Sequence, residues 1–235
     1  MKLYDGGRAP NPRRVRIFLA EKGITVPTEQ VDLGAMQQRG DAYTAINPMQ
    51  RVPALVLDDG TVIAESIAIC RYIEALHPEP PLFGREPLEI GLIEMWNRRV
   101  EFNLFQPVTS VFRHLNPAMK ELEDPQVPAW GEANKPRILA FLRFLDGELK
   151  SHTYIAGANF SVADITAVVA IDFHARDADR SARRACRPQA LARRGERASE
   201  RHSLTHSVRA RPSIIQLWRA PNWGTADLRI FPMNR

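Results

Sequence analysis

Cysteine is nearly absent. Cys70 and Cys186 are the two in 235 residues, too few for a disulfide framework and without the CxxC or Cys/His spacing of a zinc site. That scarcity argues for a reducing, cytoplasmic setting and against a structural metal. No apolar run approaches the ~18 residues of a membrane span. The stretch Met1-Lys2-Leu3-Tyr4-Asp5-Gly6-Gly7-Arg8 lacks the apolar core of a secretory signal. Lysine is missing from residues 174–235, where 14 arginines face 5 acidic residues. Residues 1–173 hold 18 Lys and Arg against 22 Asp and Glu, so they carry −4 and the rest carries +9. The net charge of +5 is therefore a property of the tail and does not mark the body as nucleic-acid binding.

With 44% hydrophobic and 25% charged residues, the chain has the profile of a soluble globular protein. Its length suits one large domain or two small ones. Lys2 to Tyr4 begin a strand. Gly6-Gly7 and Ala9-Pro10-Asn11-Pro12 lead into a helix whose Val15, Phe18 and Leu19 share one face, with Gly23 as its stop. Residues 26–33 form a second strand, and 34–47 a polar loop. Residues 52–57 and 61–64 form a hairpin about Asp58-Asp59-Gly60. Ser66 opens a helix carrying Ile67, Cys70 and Ile73 that ends before Pro78.

The first ~80 residues thus read βαβ then ββα, a small mixed sheet with helices on its faces. Three prolines in residues 77–81 mark a linker. Beyond it the pattern is helical: one long helix over 88–114, another over 130–150 with Ile138, Leu142, Leu145 and Leu149 on one face, and a third from Ser161. There Ser161 suits the N-cap, Asp164 the N3 position, and Phe160 and Ile165 a hydrophobic staple. Residues 162–171 are apolar almost all round, as in a buried helix. The next stretch, 175–201, has nine arginines and one large aliphatic residue, Leu191. It has no face to bury, in conflict with the helix before it.

Four motifs carry a resemblance over residues 1–173. Pro10-Asn11-Pro12-Arg13-Arg14-Val15, Asn47-Pro48-Met49-Gln50-Arg51-Val52-Pro53-Ala54-Leu55, Glu65-Ser66-Ile67-Ala68-Ile69 and Phe160-Ser161-Val162-Ala163-Asp164-Ile165 resemble those of cytosolic glutathione S-transferases, in their order and spacing. The resemblance implies an α/β thioredoxin-like N-terminal domain over 1–80, an all-α domain over 86–173, and a homodimer. It implies transfer of glutathione to a small hydrophobic electrophile, with glutathione as co-substrate and neither a cofactor nor a metal. Same-fold alternatives are a glutathione-dependent disulfide reductase and a non-catalytic ligand-binding or regulatory protein.

That chemistry needs a thiolate. A thiol of pKa about 8.5 is mostly protonated at neutrality. Lowering it by about two units takes roughly 2.7 kcal/mol. A helix N-terminus supplies ~0.3–1 kcal/mol, and a hydrogen bond to a charged group about 1.5–3 kcal/mol. Asn11 stands where both act, and asparagine at the N-cap with Pro12 at N1 is equally ordinary helix-start chemistry. No Ser, Cys or Tyr lies between Asp5 and Arg14. This pattern is similar to bacterial glutathione transferases that use Asn, whereas Tyr4 sits within a strand.

By the same resemblance Val52, before a cis-Pro53 turn, pairs with the cysteinyl unit, the alternative being a trans proline at a strand start. Glu65 and Ser66 hold the γ-glutamyl end, or Ser66 is a simple cap. Arg51 and Gln38 face the glycyl carboxylate. Phe102, Phe105, Gln106, Phe112 and Arg113 line the second-substrate pocket, some of them as interhelical core. Cys70 reads as core, and Asp164 as part of a folding motif. After Phe173 the chain departs from the family. A shifted reading frame with a disordered tail accounts for the abrupt change in composition. The alternative is a genuine Arg-rich extension that binds nucleic acid or acidic surfaces.

Overall fold

A computed structural model describes the backbone of residues 1–185 and the side chains of residues 1–176. Residues 1–175 make one compact unit. It opens with β1 (Lys2–Asp5), α1 (Pro10–Glu21) and β2 (Thr28–Gln30). A short 3-10 turn, Gln37–Arg39, and α2 (Asp41–Thr44) lead to β3 (Ala54–Val56), β4 (Val62–Ala64) and α3 (Ser66–Leu76). The sheet order is β2-β1-β3-β4. β1 runs parallel to β2, with Leu3 opposite Thr28, and antiparallel to β3, with Leu3 opposite Leu55. β3 and β4 form the expected hairpin, closed by Gly60 at φ 87°. This is the thioredoxin-like mixed sheet. Leu3, Ala54 and Leu55 from the sheet and Val15, Phe18, Ile69, Cys70 and Ile73 from α1 and α3 are buried.

β2 is shorter than the expected 26–33. Its three residues are all exposed, as befits an edge strand, while the flanking Val26 and Val31 are buried, and the Val31 N–H donates to the Asp5 carbonyl of β1 at 2.7 Å. α1 begins two residues earlier than Asn11 at the N-cap implied: Ala9 is the N-cap and Pro10 the first helical residue. Asn11 is therefore at N2.

The helical half contains α4 (Pro87–Val100), α5 (Gln106–Leu115), α6 (Pro128–Glu148) and α7 (Val162–Ala185). The expected helix over 88–114 is continuous but not uniform. Residues Glu101–Phe105 are π-helical, with the Gln106 N–H donating to the Glu101 carbonyl. Pro107, one position on, has no N–H and its ring crowds the preceding turn, which widens the helix there. α6 buries Ile138, Phe141, Leu145 and Leu149, so Phe141 takes the place expected for Leu142.

α7 is buried along its first turns, as its composition required. Asp164 accepts hydrogen bonds from the Ser161 N–H and hydroxyl and from the Ile155 N–H, each at 2.9 Å. The helix continues past Phe173 to Ala185, so the boundary expected at 173 falls inside a helix. The expectations of a shifted frame, disorder or a nucleic-acid-binding extension over 174–235 mostly fall on residues 186–235, outside the described residues. No described helix is long and apolar enough to cross a membrane.

Ion pairs join the two halves: Arg13 of α1 pairs with Asp172 of α7, and Arg71 of α3 with Glu94 of α4. Within the first half, Lys22, its side chain fully buried, pairs with Glu74 of α3 and donates to the His77 and Pro80 carbonyls of the linker, at 2.8 and 2.5 Å. α1 is thereby fixed between the sheet and the helices, which holds its N-terminus at the mouth of a cleft.

Candidate functional site

The start of α1, the start of α3 and the α4–α5 helix enclose a cleft of about 530 Å3. Asn11, Arg14, Glu65, Ser66, Phe105, Gln106, Thr109 and Arg113 are among its lining residues. Both helix N-termini open into it, so backbone dipoles favour a negative ligand.

α1 offers few backbone donors. Of its first three positions, two are prolines, Pro10 and Pro12, and the Arg13 N–H is already bonded to the Ala9 carbonyl. Asn11 thus supplies the one N–H of that first turn left without a helical partner, together with a side-chain amide. The Arg14 guanidinium donates through Nη1 to Ser66 Oγ at 2.8 Å, and the Ser66 hydroxyl donates to Asn11 Oδ1 at 3.4 Å. This line orients the asparagine by its oxygen and leaves its NH2 as the free end. Glu65, the residue before α3, is held at φ 66°. A non-glycine residue held in so sparsely populated a conformation costs about 1–3 kcal/mol, and such strain clusters at ligand clamps.

Arg14 is a residue that motif reading passed over. It is 1% exposed, stacks 4.6 Å over the Phe105 ring, and lies 3.5 Å from Glu101. Burial lowers its proton affinity, and Glu101 opposes that shift. Its signal in the sequence was a charge adjoining Val15 on the buried face of α1. Glu101, Arg98 and Arg71 also line the cleft and had no local signal. Arg71 and Arg98 both pair with Glu94, and Arg98 also with Glu101, at 2.6 Å.

The Val52–Pro53 bond is cis, as expected. Val52 precedes β3, whose pairing with β1 begins at Ala54, so its backbone lies outside the ladder. Arg51, just before it, is exposed. Its carbonyl accepts from the Tyr43 hydroxyl at 2.7 Å and from Asn47 Nδ2 at 2.8 Å, which fixes the turn that presents Val52. Tyr4 is half-buried on the face of β1 opposite Leu3, packs edge-on against Tyr43 and is not among the cleft residues.

Five expected site residues are not among those lining the cleft: Arg51 and Val52, at the turn before β3, and three others. Gln38 is buried, with its Nε2 3.7 Å from Met36 Sδ, and does not line the cleft. Phe102, within the π-helical turn, is 49% exposed, with Arg98 over its ring. Phe112 packs edge-to-face on Phe173 of α7, as interhelical core. Phe105, Gln106 and Arg113 do line the cleft.

Cys70 is fully buried, and burial pushes its thiol up to about 12. Iodoacetamide is expected to leave Cys70 unlabelled in the folded protein and to label it in denaturant, read by peptide mass mapping. Labelling under native conditions would contradict this core placement. Among the described residues, no group of three or more His, Cys, Asp or Glu is placed to hold a metal ion.

Two family models match the chain. One, glutathione S-transferase N-terminal domain, spans residues 9–76. The other, glutathione S-transferase C-terminal domain, spans 122–182. The chain is similar to glutathione S-transferase 2 of Saccharomyces cerevisiae, 40% identical over 178 residues that cover 74% of this chain and 76% of the yeast protein. It is 30% identical to a probable maleylacetoacetate isomerase of Caenorhabditis elegans over 166 residues, 70% of this chain and 74% of that one. Among solved structures, a glutathione S-transferase domain-containing protein of Marinobacter aquaeolei aligns with a TM-score of 0.73 at 38% identity, covering 80% of this chain and 98% of its own.

Proposed function

The chain belongs to the glutathione S-transferase family, and from that premise we propose that it joins the glutathione thiolate to a small electrophile in the cleft, working as a homodimer in a cytoplasmic setting. The observation that carries the site assignment is the hydrogen-bonded line from Arg14 through Ser66 to Asn11. It converges two helix N-termini and one amide donor on a single place. There a carboxylate and a thiolate can be bound at once.

In this reading Ser66 and the first amides of α3 receive the γ-glutamyl carboxylate. Glu65 receives the ammonium group. The backbone of Val52 pairs with the cysteinyl unit, and Arg51 faces the glycyl carboxylate. Arg14 occupies a lone pair of Ser66 Oγ and the Ser66 hydroxyl donates to Asn11 Oδ1, so it is the backbone N–H of Ser66, the first of α3, that meets the carboxylate. The Asn11 amide and the α1 N-terminus hold the thiolate, whose proton passes to solvent. The thiolate then attacks the electrophilic carbon, the C–S bond forms, and the leaving group departs with its electron pair. Leu88 and Leu92, one turn apart on α4 and exposed, support self-association.

Calorimetry is expected to give saturable glutathione binding, and light scattering a particle of twice the chain mass. Turnover should be faster on an aryl halide than on a mixed disulfide of glutathione. The reverse preference would replace conjugation by disulfide reduction. Binding without turnover on either would leave a carrier, and no binding would remove the site assignment.

A further inference from the structure

The loop that leads into α1 is tied down along its length. The Asp5 carboxylate, fully buried, accepts from the Gly7 N–H at 2.7 Å and pairs with Arg16 of α1. The Arg16 guanidinium also donates to the Gly7 carbonyl at 2.7 Å. The Gly6 carbonyl accepts from the N–H of Ala9, the N-cap of α1, at 3.2 Å. Gly6 is thus joined to the start of α1 by a closed turn, and Asn11 follows at the second helical position.

Gly6 lies against Val52. A Cβ at position 6 would fall 2.6 Å from Val52 Cγ2 and 2.9 Å from Leu33 Cδ1, well inside the ~3.5–4.0 Å at which carbon atoms pack. Gly7 has a φ of 58°, whereas Gly6 has no positive φ, so space and not backbone conformation excludes a side chain there. Leu33 can swing its terminal methyl aside. Val52 has less freedom, because its methyl sits on a β-branched carbon next to the backbone. The turn behind it is braced by the Tyr43 hydroxyl and the Asn47 amide on the Arg51 carbonyl. With both sides held, a side chain at position 6 would force loop and turn apart.

This contact brings the Val52 turn, which is outside the cleft lining, up to the loop that carries Asn11. In the transferase reading, on which the inference rests, those two residues hold two ends of one cysteinyl unit: Val52 its backbone and Asn11 its sulfur. A ligand of fixed length demands a fixed spacing between them, since a misplacement of about 1 Å is costly to a reacting group. We infer that Gly6 is a positioning residue, whose bare Cα lets turn and loop approach closely enough for glutathione to be held at Val52 while its sulfur reaches the Asn11 amide.

The test is a double-mutant cycle on the full-length protein. Gly6→Ala is introduced beside Val52 and beside Val52→Ala, which lacks Cγ2 but keeps the backbone. Calorimetry gives the Kd for glutathione, and ultraviolet titration of the binary complex gives the pKa of its thiol. Beside Val52, Gly6→Ala is expected to weaken binding about ten- to a hundredfold, as an overpacked contact does, and to raise the bound thiol toward its free value. Beside Val52→Ala, the same change should alter Kd by no more than about twofold and leave the thiol pKa in place. A purely structural lesion would instead cost the same in both backgrounds and would not move the thiol. Gly6→Val beside Val52→Ala restores the overlap from the loop side and should bring both deficits back, which supplies the readout where Gly6→Ala alone fails to fold. Unchanged Kd and pKa in Gly6→Ala, an equal loss in both backgrounds, a loss of affinity with no shift of the thiol, or a Gly6→Val without effect overturns the inference while leaving the transferase reading intact. Wild-type protein that binds no glutathione overturns the transferase reading and the inference with it.

Discussion

Asp164→Ala is expected to destabilise the protein by about 3–5 kcal/mol, a large share of the roughly 5–15 kcal/mol that a domain of this kind has. The carboxylate is fully buried and accepts from the Ile155 N–H, the Ser161 N–H and the Ser161 hydroxyl. The hydroxyl is free to rotate to another acceptor. The two backbone N–H groups are not, and each buried donor left without a partner costs about 1–3 kcal/mol. Asp164→Asn should fall between wild type and alanine, since its carbonyl satisfies one donor while its NH2 opposes the other.

The pH dependence has a definite sign. Burial, winning over the three hydrogen bonds, raises this carboxyl to about 6 from its ordinary 3.8. Between those values the native state holds more protons than the unfolded chain, so this group's contribution to stability falls as pH rises through that window. Urea unfolding followed from pH 4 to pH 7 should show that component in the wild type and lose it in Asp164→Ala. An unfolding midpoint unchanged by the alanine would remove Asp164 as the anchor of α7.

That anchor was legible because it is local. Ser161 and Asp164 are three residues apart, and a cap followed by an acidic N3 position has one physical meaning wherever a buried helix follows. The hairpin at Asp59-Gly60 and the cis turn at Val52-Pro53 were readable for the same reason. The turn's supports were legible only in part: Tyr43 and Asn47 both hold the Arg51 carbonyl, and while Asn47 opens the motif that contains the turn, nothing in the polar loop marks Tyr43. Long-range partners escaped altogether. Glu101 reaches Arg14 across 87 positions, and no spacing rule joins them. Phe102 and Phe112 were placed in the pocket by resemblance, with interhelical core as the alternative for some of these residues; Phe112 takes that alternative against Phe173, and Phe102, in the widened turn ahead of Pro107, is exposed. The proline was visible in the sequence, while its effect on helical phase depends on how the neighbouring helices pack.

Asn11→Ala should produce the largest change in chemistry. With Pro10 and Pro12 removing two donors from the first turn of α1, the helix N-terminus is a weaker anion site than an ordinary one, and the side-chain amide carries more of the roughly 2.7 kcal/mol that a two-unit shift in thiol pKa requires. A hydrogen bond to a charged group contributes about 1.5–3 kcal/mol. Its loss should therefore raise the pKa of bound glutathione by about one to two units and reduce kcat/KM at pH 7 by about ten- to a hundredfold. The deficit should shrink as pH rises through the raised pKa, because the thiolate then forms without help.

Thiolate absorbance in the ultraviolet, titrated on the binary complex, measures the pKa directly. The ionic contacts assigned to Ser66 and Glu65 do not involve Asn11, so glutathione affinity at low pH, where both proteins bind the thiol, should change little. A variant that loses affinity without a shift in pKa would make Asn11 a binding residue. One that changes neither would make it a helix-start residue, and the thiolate would then depend on the α1 backbone and the remaining polar wall of the cleft.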